Sequence, residues 1–348
     1  MEEKSTVYLD FLRVAACILV VCVHVSASFI EEIPVESLNF KIMNTFDCFA
    51  MLGVPIFVMI SGALVLSERY EGSIKKLYGK KIMRLAVVYF FACLLYNIET
   101  FIENGFAFTF ENVKQEIILE TLLGKGKYHL WFLPMLISLY LITPFIRPFV
   151  SDLKKCLLFL GLYFLFGILL PTVILFEIPY WRIFWSLSEQ LPNYLFNGYL
   201  GYYVLGHVLH EFLPRLKRKF LLGIAGVGII SFGIEVYVCN LYSVKTGRLS
   251  TILNNPLLLT AFLSSTALFV LAMHIPYRRG TVWAWLKRYT LGIYLLHPFL
   301  VGWGRRLGWT TLFAPAVVSI PLSVALMTVL TFIFVYLLSK IPGIRKWI

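Results

Sequence analysis

Apolar residues along this chain are gathered into long stretches separated by short polar connections. A helix needs about 20 mostly apolar residues to cross a bilayer, and ten stretches approach that length. They lie at residues 7–29, 45–66, 82–102, 128–149, 155–176, 193–212, 220–242, 255–275, 286–303 and 313–339. Only the connection 103–127 is long enough for a further element, and its apolar residues recur at helical spacing, which predicts a helix on the membrane surface. The pattern predicts an all-α polytopic membrane protein with about ten transmembrane helices. Residues 1–348 are expected to form this single domain, with no separate soluble domain.

The composition agrees with this pattern. Of the 348 residues, 59% are hydrophobic and 14% are charged, whereas charged residues make up about a quarter of an ordinary soluble domain. The sequence therefore excludes a water-soluble core, a disordered chain, a coiled coil and a disulfide scaffold. The six cysteines lie in or beside apolar stretches without ligand spacing, so we interpret them as small core residues and expect no metal site. The first apolar stretch contains Arg13 and His24, which disfavours a cleaved signal peptide.

The net charge of +12 follows the predicted topology. With a cytoplasmic N-terminus, the inner segments hold 22 of the 31 lysines and arginines and the outer segments hold nine. Cytoplasmic loops are typically enriched in these residues. The distribution predicts that both termini are cytoplasmic and that the protein is a multi-pass protein of the cell membrane, and it disfavours nucleic acid as a partner.

The first span carries three ionisable residues, Asp10, Arg13 and His24. Such residues are energetically costly in hydrocarbon, so all three are candidates for the catalytic site. Asp10 and Arg13 are three residues apart and can pair on one helix face. Arg13 and His24 are eleven residues apart, so they point within about 20° of each other and lie about 16 Å apart along the axis. The functional interpretation is that both face one interior site. The structural alternative is that Arg13 anchors the helix at the membrane surface and His24 is a buried histidine satisfied by a neighbour.

A second group of candidates lies at the start of the third span. Lys81 and Arg84 are adjacent on a helix. They belong to a basic run that is equally explained by the enrichment of lysine and arginine in cytoplasmic loops. Ammonium and guanidinium groups bind phosphate, so the alternative is a clamp for an anionic cytoplasmic ligand such as coenzyme A. Ser61 is the third candidate for binding this ligand. It belongs to the glycine- and proline-containing second span, where helices can approach closely or open a cavity.

Further polar residues lie near the predicted outer face or within a span. His129 and Trp131 begin the fourth span, where aromatic residues commonly mark the membrane interface. Glu189 and Asn193 share a face before the sixth span, and this face either binds a sugar or is simply solvated. All four residues are candidates for binding sugar hydroxyls. His297 lies about halfway along the ninth span, where it either packs between helices or contributes to a site.

Four segments together resemble the acyltransferase 3 family of integral-membrane acyltransferases. They are LDFLRVAACILVVCVHV, VPIFVMISGALV, HLWFLPMLISLYLITPFIRPF and LGIYLLHPFL, which occur in this order. The resemblance implies that the ten helices surround a central cavity. It also implies an acyl-CoA co-substrate, most simply acetyl-CoA, that enters from the cytoplasm, and a glycan, lipid-linked sugar or other envelope molecule as acceptor. It implies His24 as the catalytic histidine, with Arg13 as its partner. The family's Arg-x-x-Arg motif appears as Lys81-x-x-Arg84, which keeps the positive charge but loses one guanidinium fork.

The resemblance therefore predicts an O-acetyltransferase-like membrane enzyme without a permanently bound cofactor. Its expected partners are the lipid bilayer, acyl-CoA and the acceptor, and its oligomeric state stays open between a monomer and a homo-oligomer. A secondary transporter for a small polar molecule is the alternative, since buried ionisable groups suit it equally. A scaffold subunit would leave Arg13 and His24 unexplained.

Overall fold

The computed structural model describes residues 6–67, 74–176, 182, 186, 198–213, 215–277, 282–344 and 346–347. Within these ranges the ordered elements are helices. We number them in chain order: α1 Val7–Ala27, α2 Leu38–Ala50, α3 Gly53–Val65, α4 Ile74–Glu103, α5 110–122, α6 Tyr128–Val150, α7 Leu153–Ile174, α8 Leu200–Phe212, α9 Arg218–Thr246, α10 Leu259–Met273, α11 Val282–Leu286, α12 Thr290–Arg306 and α13 Ala316–Leu338. The all-helical architecture predicted from the apolar pattern is confirmed for this part of the chain.

Seven helical segments in the described ranges are long and apolar enough to cross a membrane. They are Val7–Glu32, Leu38–Val65, Ile74–Glu103, Tyr128–Val150, Leu153–Ile174, Arg218–Thr246 and Ala316–Leu338. The other three predicted spans correspond to the shorter helices α8, α10 and α12, with 13, 15 and 17 residues. Residues 187–197, which hold the beginning of the predicted sixth span, lie outside the described ranges. The count of ten spans and the cytoplasmic termini therefore stay predictions, while a multi-pass membrane protein is established.

Helix α1 lies at the centre of the helix bundle, in contact with α2, α3, α10, α12 and α13. Long apolar side chains on α9 and α13 remain exposed, among them Ile229, Ile230 and Leu337. An exposed apolar surface of this kind suits contact with lipid. The central place of α1 means that the polar residues on its different faces meet different neighbours.

Two glycines allow α3 and α8 to pack closely. A Cβ atom at Gly62 would lie 1.8 Å from the Tyr203 carbonyl oxygen, and one at Gly206 would lie 2.0 Å from the Met59 carbonyl oxygen. Small residues allow such close backbone contact between membrane helices. This packing fixes the neighbouring Ser61, which lies on the cavity described next.

Candidate functional site

A cavity of about 350 Å³ lies between α1, α3, α4, α6 and α12, near the end of the bundle at which α1 and α4 begin. We call this end of the bundle the basic end. Five cationic side chains line the cavity: Arg13, Lys81, Arg84, Lys287 and Arg288. None of its described lining residues is acidic. Ser61 also lines the cavity, so the structure brings together Arg13 and the three residues proposed from the sequence for an anionic ligand.

The local helix geometry contributes to this arrangement. Lys81 lies in a π-helical segment, Leu77–Ile82, whereas Arg84 lies in the α-helical segment that follows. Such wide turns are rare and often occur at functional sites. Lys81 and Arg84 reach the same cavity, as their three-residue spacing predicted.

Asp10 has a different neighbour from the one expected. Its two carboxylate oxygens each accept a hydrogen bond of 2.8 Å from the Lys287 ammonium group. The pairing with Arg13 is replaced because the 3-10 turn Lys287–Tyr289, which precedes α12, brings Lys287 against the beginning of α1. Asp10 therefore holds a cavity cation in place, while Arg13 faces the cavity.

A cluster of three histidines lies farther along the bundle. The His24 ring stacks on the His297 ring with 5.0 Å between centroids, and the His129 ring lies 6.3 Å from His24 and 5.7 Å from His297. The three side chains come from α1, α6 and α12. We call His24, His129 and His297 the histidine cluster. No group of three or more histidine, cysteine or acidic side chains in the described ranges is arranged to hold a metal ion.

Hydrogen bonding defines the orientation of His297. Its Nδ1 lies 2.9 Å from the Ile293 carbonyl oxygen, so Nδ1 carries the hydrogen and donates it. In the neutral ring Nε2 is then an acceptor, and this atom has no hydrogen-bond partner among the described residues. The side chain is fully buried. The histidine cluster thus contains an available imidazole lone pair in an apolar interior.

Three tyrosines surround the histidine cluster. The Tyr128 ring lies 5.0 Å from His24, and the rings of Tyr96 and Tyr294 lie 5.1 and 5.6 Å from His129. The Tyr294 hydroxyl donates a hydrogen bond to the His129 carbonyl oxygen. Tyr294 also lines the basic cavity. One side chain therefore borders both the basic cavity and the histidine cluster.

The far side of the histidine cluster is covered by ion pairs. Glu99, on α4, lies 3.2 Å from the Lys127 ammonium group and 3.7 Å from the Arg306 guanidinium group. Glu103 contacts both cations as well. Since Lys127 directly precedes the turn that carries Tyr128 and His129, these ion pairs tie that turn to α4 and α12.

The four residues proposed for an acceptor are not all found together. His129 is buried in the histidine cluster rather than on an exposed surface. Trp131 is half-exposed, with its ring 5.6 Å from that of Tyr199. Glu189 and Asn193 lie outside the described residues. Tyr128, which is 61% exposed and touches His24, is an additional residue on this side.

Sequence reasoning did not group the three histidines or include Lys287 and Arg288. The spacing of Tyr294 and His297, three residues apart on α12, was a usable local signal because such residues share a helix face. The encounter of α1, α6 and α12 depends on tertiary packing, which leaves no local spacing to recognise.

The chain was compared with protein families, with curated proteins and with solved structures. A family model described as an acyltransferase domain matches residues 6–340. A protein of Enterococcus faecalis named amino-acid racemase is 28% identical over 237 residues, which are 67% of this chain and 32% of that protein. The chain therefore spans about a third of the length of this relative. No solved structure matches the chain significantly.

Proposed function

The chain belongs to the acyltransferase family whose model covers residues 6–340, and on this premise we propose that it moves an acyl group, most simply acetyl, from cytoplasmic acyl-CoA to a hydroxyl group of an extracytoplasmic glycan or other cell-envelope molecule. The observation that carries the proposal is the position of Tyr294, which borders both the basic cavity and the histidine cluster. An elongated anionic donor fits this arrangement, with its phosphates at one end and its reactive group at the other.

In this proposal the cavity cations bind the phosphates of CoA. Arg13 and Arg84 supply planar guanidinium groups, which suit phosphate oxygens, while Lys81 and Lys287 supply ammonium groups. Eleven residues of α1 separate Arg13 from His24, a rise of about 16 Å. The extended pantetheine arm spans this interval and presents the thioester to the histidine cluster.

His24 is proposed to act as the general base. Imidazole is suited to this task because its unperturbed pKa lies near neutrality. As His24 takes the proton from the acceptor hydroxyl, the oxygen forms a bond with the thioester carbonyl carbon. The carbon–sulfur bond then breaks, and the proton passes to the leaving thiolate, which yields the acyl ester and free CoA. In a two-step route, a His24 nitrogen first bonds to the thioester carbonyl carbon, the carbon–sulfur bond breaks, and CoA leaves as the thiol with the imidazole proton. The acceptor hydroxyl oxygen then attacks the acyl-imidazole carbon, the carbon–nitrogen bond breaks, and the hydroxyl proton returns to His24.

The acceptor is proposed to approach from the side of Tyr128 and Trp131. Both aromatic side chains are exposed, and aromatic planes with nearby polar groups suit a sugar. Glu189 and Asn193 remain proposed contributors to this side. The racemase name of the relative carries no proposal here, because the match covers only 32% of that protein.

The catalytic proposal is tested with purified protein in vesicles, supplied with labelled acetyl-CoA and candidate glycans. We expect His24→Ala to lower label transfer at least about a hundredfold, the scale typical for loss of a general base. His274→Ala, at the end of α10, is the matched control and should keep its activity. Transfer that survives His24→Ala contradicts the assignment. Label trapped on the protein without acceptor identifies the two-step route, and CoA-independent accumulation of a solute supports transport.

The phosphate clamp is tested by CoA binding. We expect the double variant Lys81→Ala/Arg84→Ala to weaken binding at least about a hundredfold, because charge-assisted hydrogen bonds contribute about 1.5–3 kcal/mol each. Lys75→Ala/Lys80→Ala removes the same charge from exposed positions on the same helix and should bind nearly as the wild type does. Equal affinity of both double variants would leave Lys81 and Arg84 as topology signals only.

A further inference from the structure

The carboxylate of Glu99 lies on α4 near the end of the bundle opposite the basic end. Its Oε2 accepts a hydrogen bond of 3.2 Å from the Lys127 ammonium group, and its Oε1 lies 3.7 Å from a guanidinium nitrogen of Arg306. Lys127 is two residues before His129, and Arg306 ends α12, the helix that carries His297. Each oxygen of this carboxylate therefore contacts a different segment that carries a member of the histidine cluster.

Burial distinguishes Glu99 from an ordinary surface acid. Its side chain is 6% exposed, whereas the side chain of Glu103, one turn farther along α4, is 29% exposed and contacts the same two cations. A buried charge is costly when its partner is lost, and a pair shielded from water is screened little by salt. The geometry around Glu99 is therefore more strictly determined than that around Glu103.

Lys127 connects this carboxylate to His129. It directly precedes the 3-10 turn Tyr128–Trp131, and its carbonyl oxygen accepts a hydrogen bond of 3.0 Å from the Leu130 amide. Its ammonium nitrogen lies 5.7 Å from the centre of the Tyr96 ring, which in turn lies 5.1 Å from the His129 ring. Both the backbone and the side chain of Lys127 thus contact the surroundings of His129.

The end of α12 connects the same group to α1. Arg305, next to Arg306, donates a hydrogen bond of 2.8 Å to the Ser28 carbonyl oxygen, directly after the end of α1. Arg305 also forms an ion pair of 2.5 Å with Glu32. The Ser28 hydroxyl donates a hydrogen bond of 2.5 Å to the His24 carbonyl oxygen. The charged contacts therefore link the elements that carry all three histidines.

Neutral hydrogen bonds hold the connection between α5 and α6 on α4 without Glu99. The Asn97 amide donates to the Lys125 carbonyl oxygen at 2.9 Å, and the Tyr89 hydroxyl donates to the Gly124 carbonyl oxygen at 2.5 Å. Because these bonds do not involve Glu99, we expect the connection to stay folded when the Glu99 charge is lost. The change should be confined to the placement of the turn that follows.

We propose that Glu99 is a positioning residue for acyl transfer. By binding two cations at once, it fixes the turn that carries His129 relative to the helix that carries His297, and so keeps both rings in place against His24. Placement of this kind matters, since a misplacement of about 1 Å can slow a reaction about a hundredfold. The inference rests on the proposed function, in which His24 is the general base.

The test uses the purified full-length protein in vesicles, with labelled acetyl-CoA and the candidate glycans. We expect Glu99→Gln to lower kcat at least about tenfold. The dissociation constant for CoA should stay within about twofold, because Glu99 and its two cations do not line the basic cavity. The value of kcat is calculated per CoA-binding molecule, so that a loss of folded protein does not count as a loss of activity.

Glu120→Gln is the matched control. Glu120 also pairs with a lysine before the same turn, since its carboxylate lies 2.9 Å from the Lys125 ammonium group, but the Lys125 side chain is 63% exposed. Exposed ion pairs contribute little, so this variant should keep the wild-type kcat.

A double-mutant cycle shows whether Glu99 acts through Lys127. We expect Lys127→Met to lower kcat as Glu99→Gln does, and the double variant to be no more than about twofold slower than the slower single variant. Lys127→Arg keeps the cation and should retain most of the wild-type kcat. A merely structural role would lower the melting temperature and the amount of folded protein without this coupling in kcat.

The outcomes separate this inference from the proposed function. The inference alone is overturned if the wild type is active and Glu99→Gln keeps its kcat, or if the two single effects multiply in the double variant. A wild type that transfers acyl groups to no acceptor contradicts the proposed function, and the positioning role of Glu99 with it.

Discussion

At the scale of single residues, the surroundings of His24 are defined by rings from three other positions. His297 stacks on it, His129 lies beside it and Tyr128 covers it on the exposed side. His297 is itself oriented by its hydrogen bond to Ile293, so it can hold the His24 ring in one plane. Arg13, on the same helix as His24, serves the other end of the proposed donor.

The contact between His24 and His297 makes a kinetic prediction. His297→Phe keeps a planar ring next to His24 but removes the Nε2 acceptor. We expect kcat for acyl transfer to fall about tenfold or more, while the affinity for CoA stays within about twofold, because His297 does not line the basic cavity. The measurement is steady-state acyl transfer in vesicles combined with CoA binding. His274→Phe is the control, and a purely structural role would instead lower the amount of folded protein without this split between kcat and binding.

At the scale of helices, the contact of α3 with α8 supports the basic cavity. Gly62 lies directly after Ser61, and its missing side chain makes room for the Tyr203 carbonyl group. The backbone of α8 is therefore the surface that determines how far α3 can move away from the cavity.

Adding one methyl group at this contact should be costly. Gly62→Ala would force α3 and α8 apart, and overpacking of this kind costs about 1–3 kcal/mol. We expect a lower melting temperature and weaker CoA binding, because Ser61 moves with the helix. Gly79→Ala is the matched control, since nothing lies within 4 Å of a Cβ atom at Gly79. Equal melting temperatures for the two variants would show that the contact is not close in the protein.

At the scale of the whole molecule, the predicted topology is open to a labelling experiment. All six cysteines are buried, so an impermeant maleimide should leave the wild-type protein in intact cells unmodified. Glu36→Cys, in the segment between α1 and α2, should become labelled, whereas Lys75→Cys at the beginning of α4 should react only after the cells are opened. The reverse result would place the termini outside.

Much of this architecture could be predicted from the sequence because a bilayer imposes a simple length rule on apolar segments. Each of the ten predicted spans overlaps a helix, and the helix face shared by Arg13 and His24 follows from the helical repeat. The partner of Asp10 could not be predicted, because Lys287 reaches it only through the packing of the turn before α12 onto α1. The same holds for His129, which sequence position alone assigned to an exposed entrance. Local spacing describes one helix, whereas these contacts join several.

The origin of the three histidines in α1, α6 and α12 has a consequence for biosynthesis. A ribosome that has delivered α1 and α6 to the membrane has supplied only His24 and His129, and His297 follows much later in translation. Lys287 and Arg288, which line the basic cavity, also arrive late. A partly synthesised chain therefore holds neither the complete basic cavity nor the complete histidine cluster. Under the proposed mechanism, the nascent protein is expected to be inactive toward thioesters until α12 is inserted.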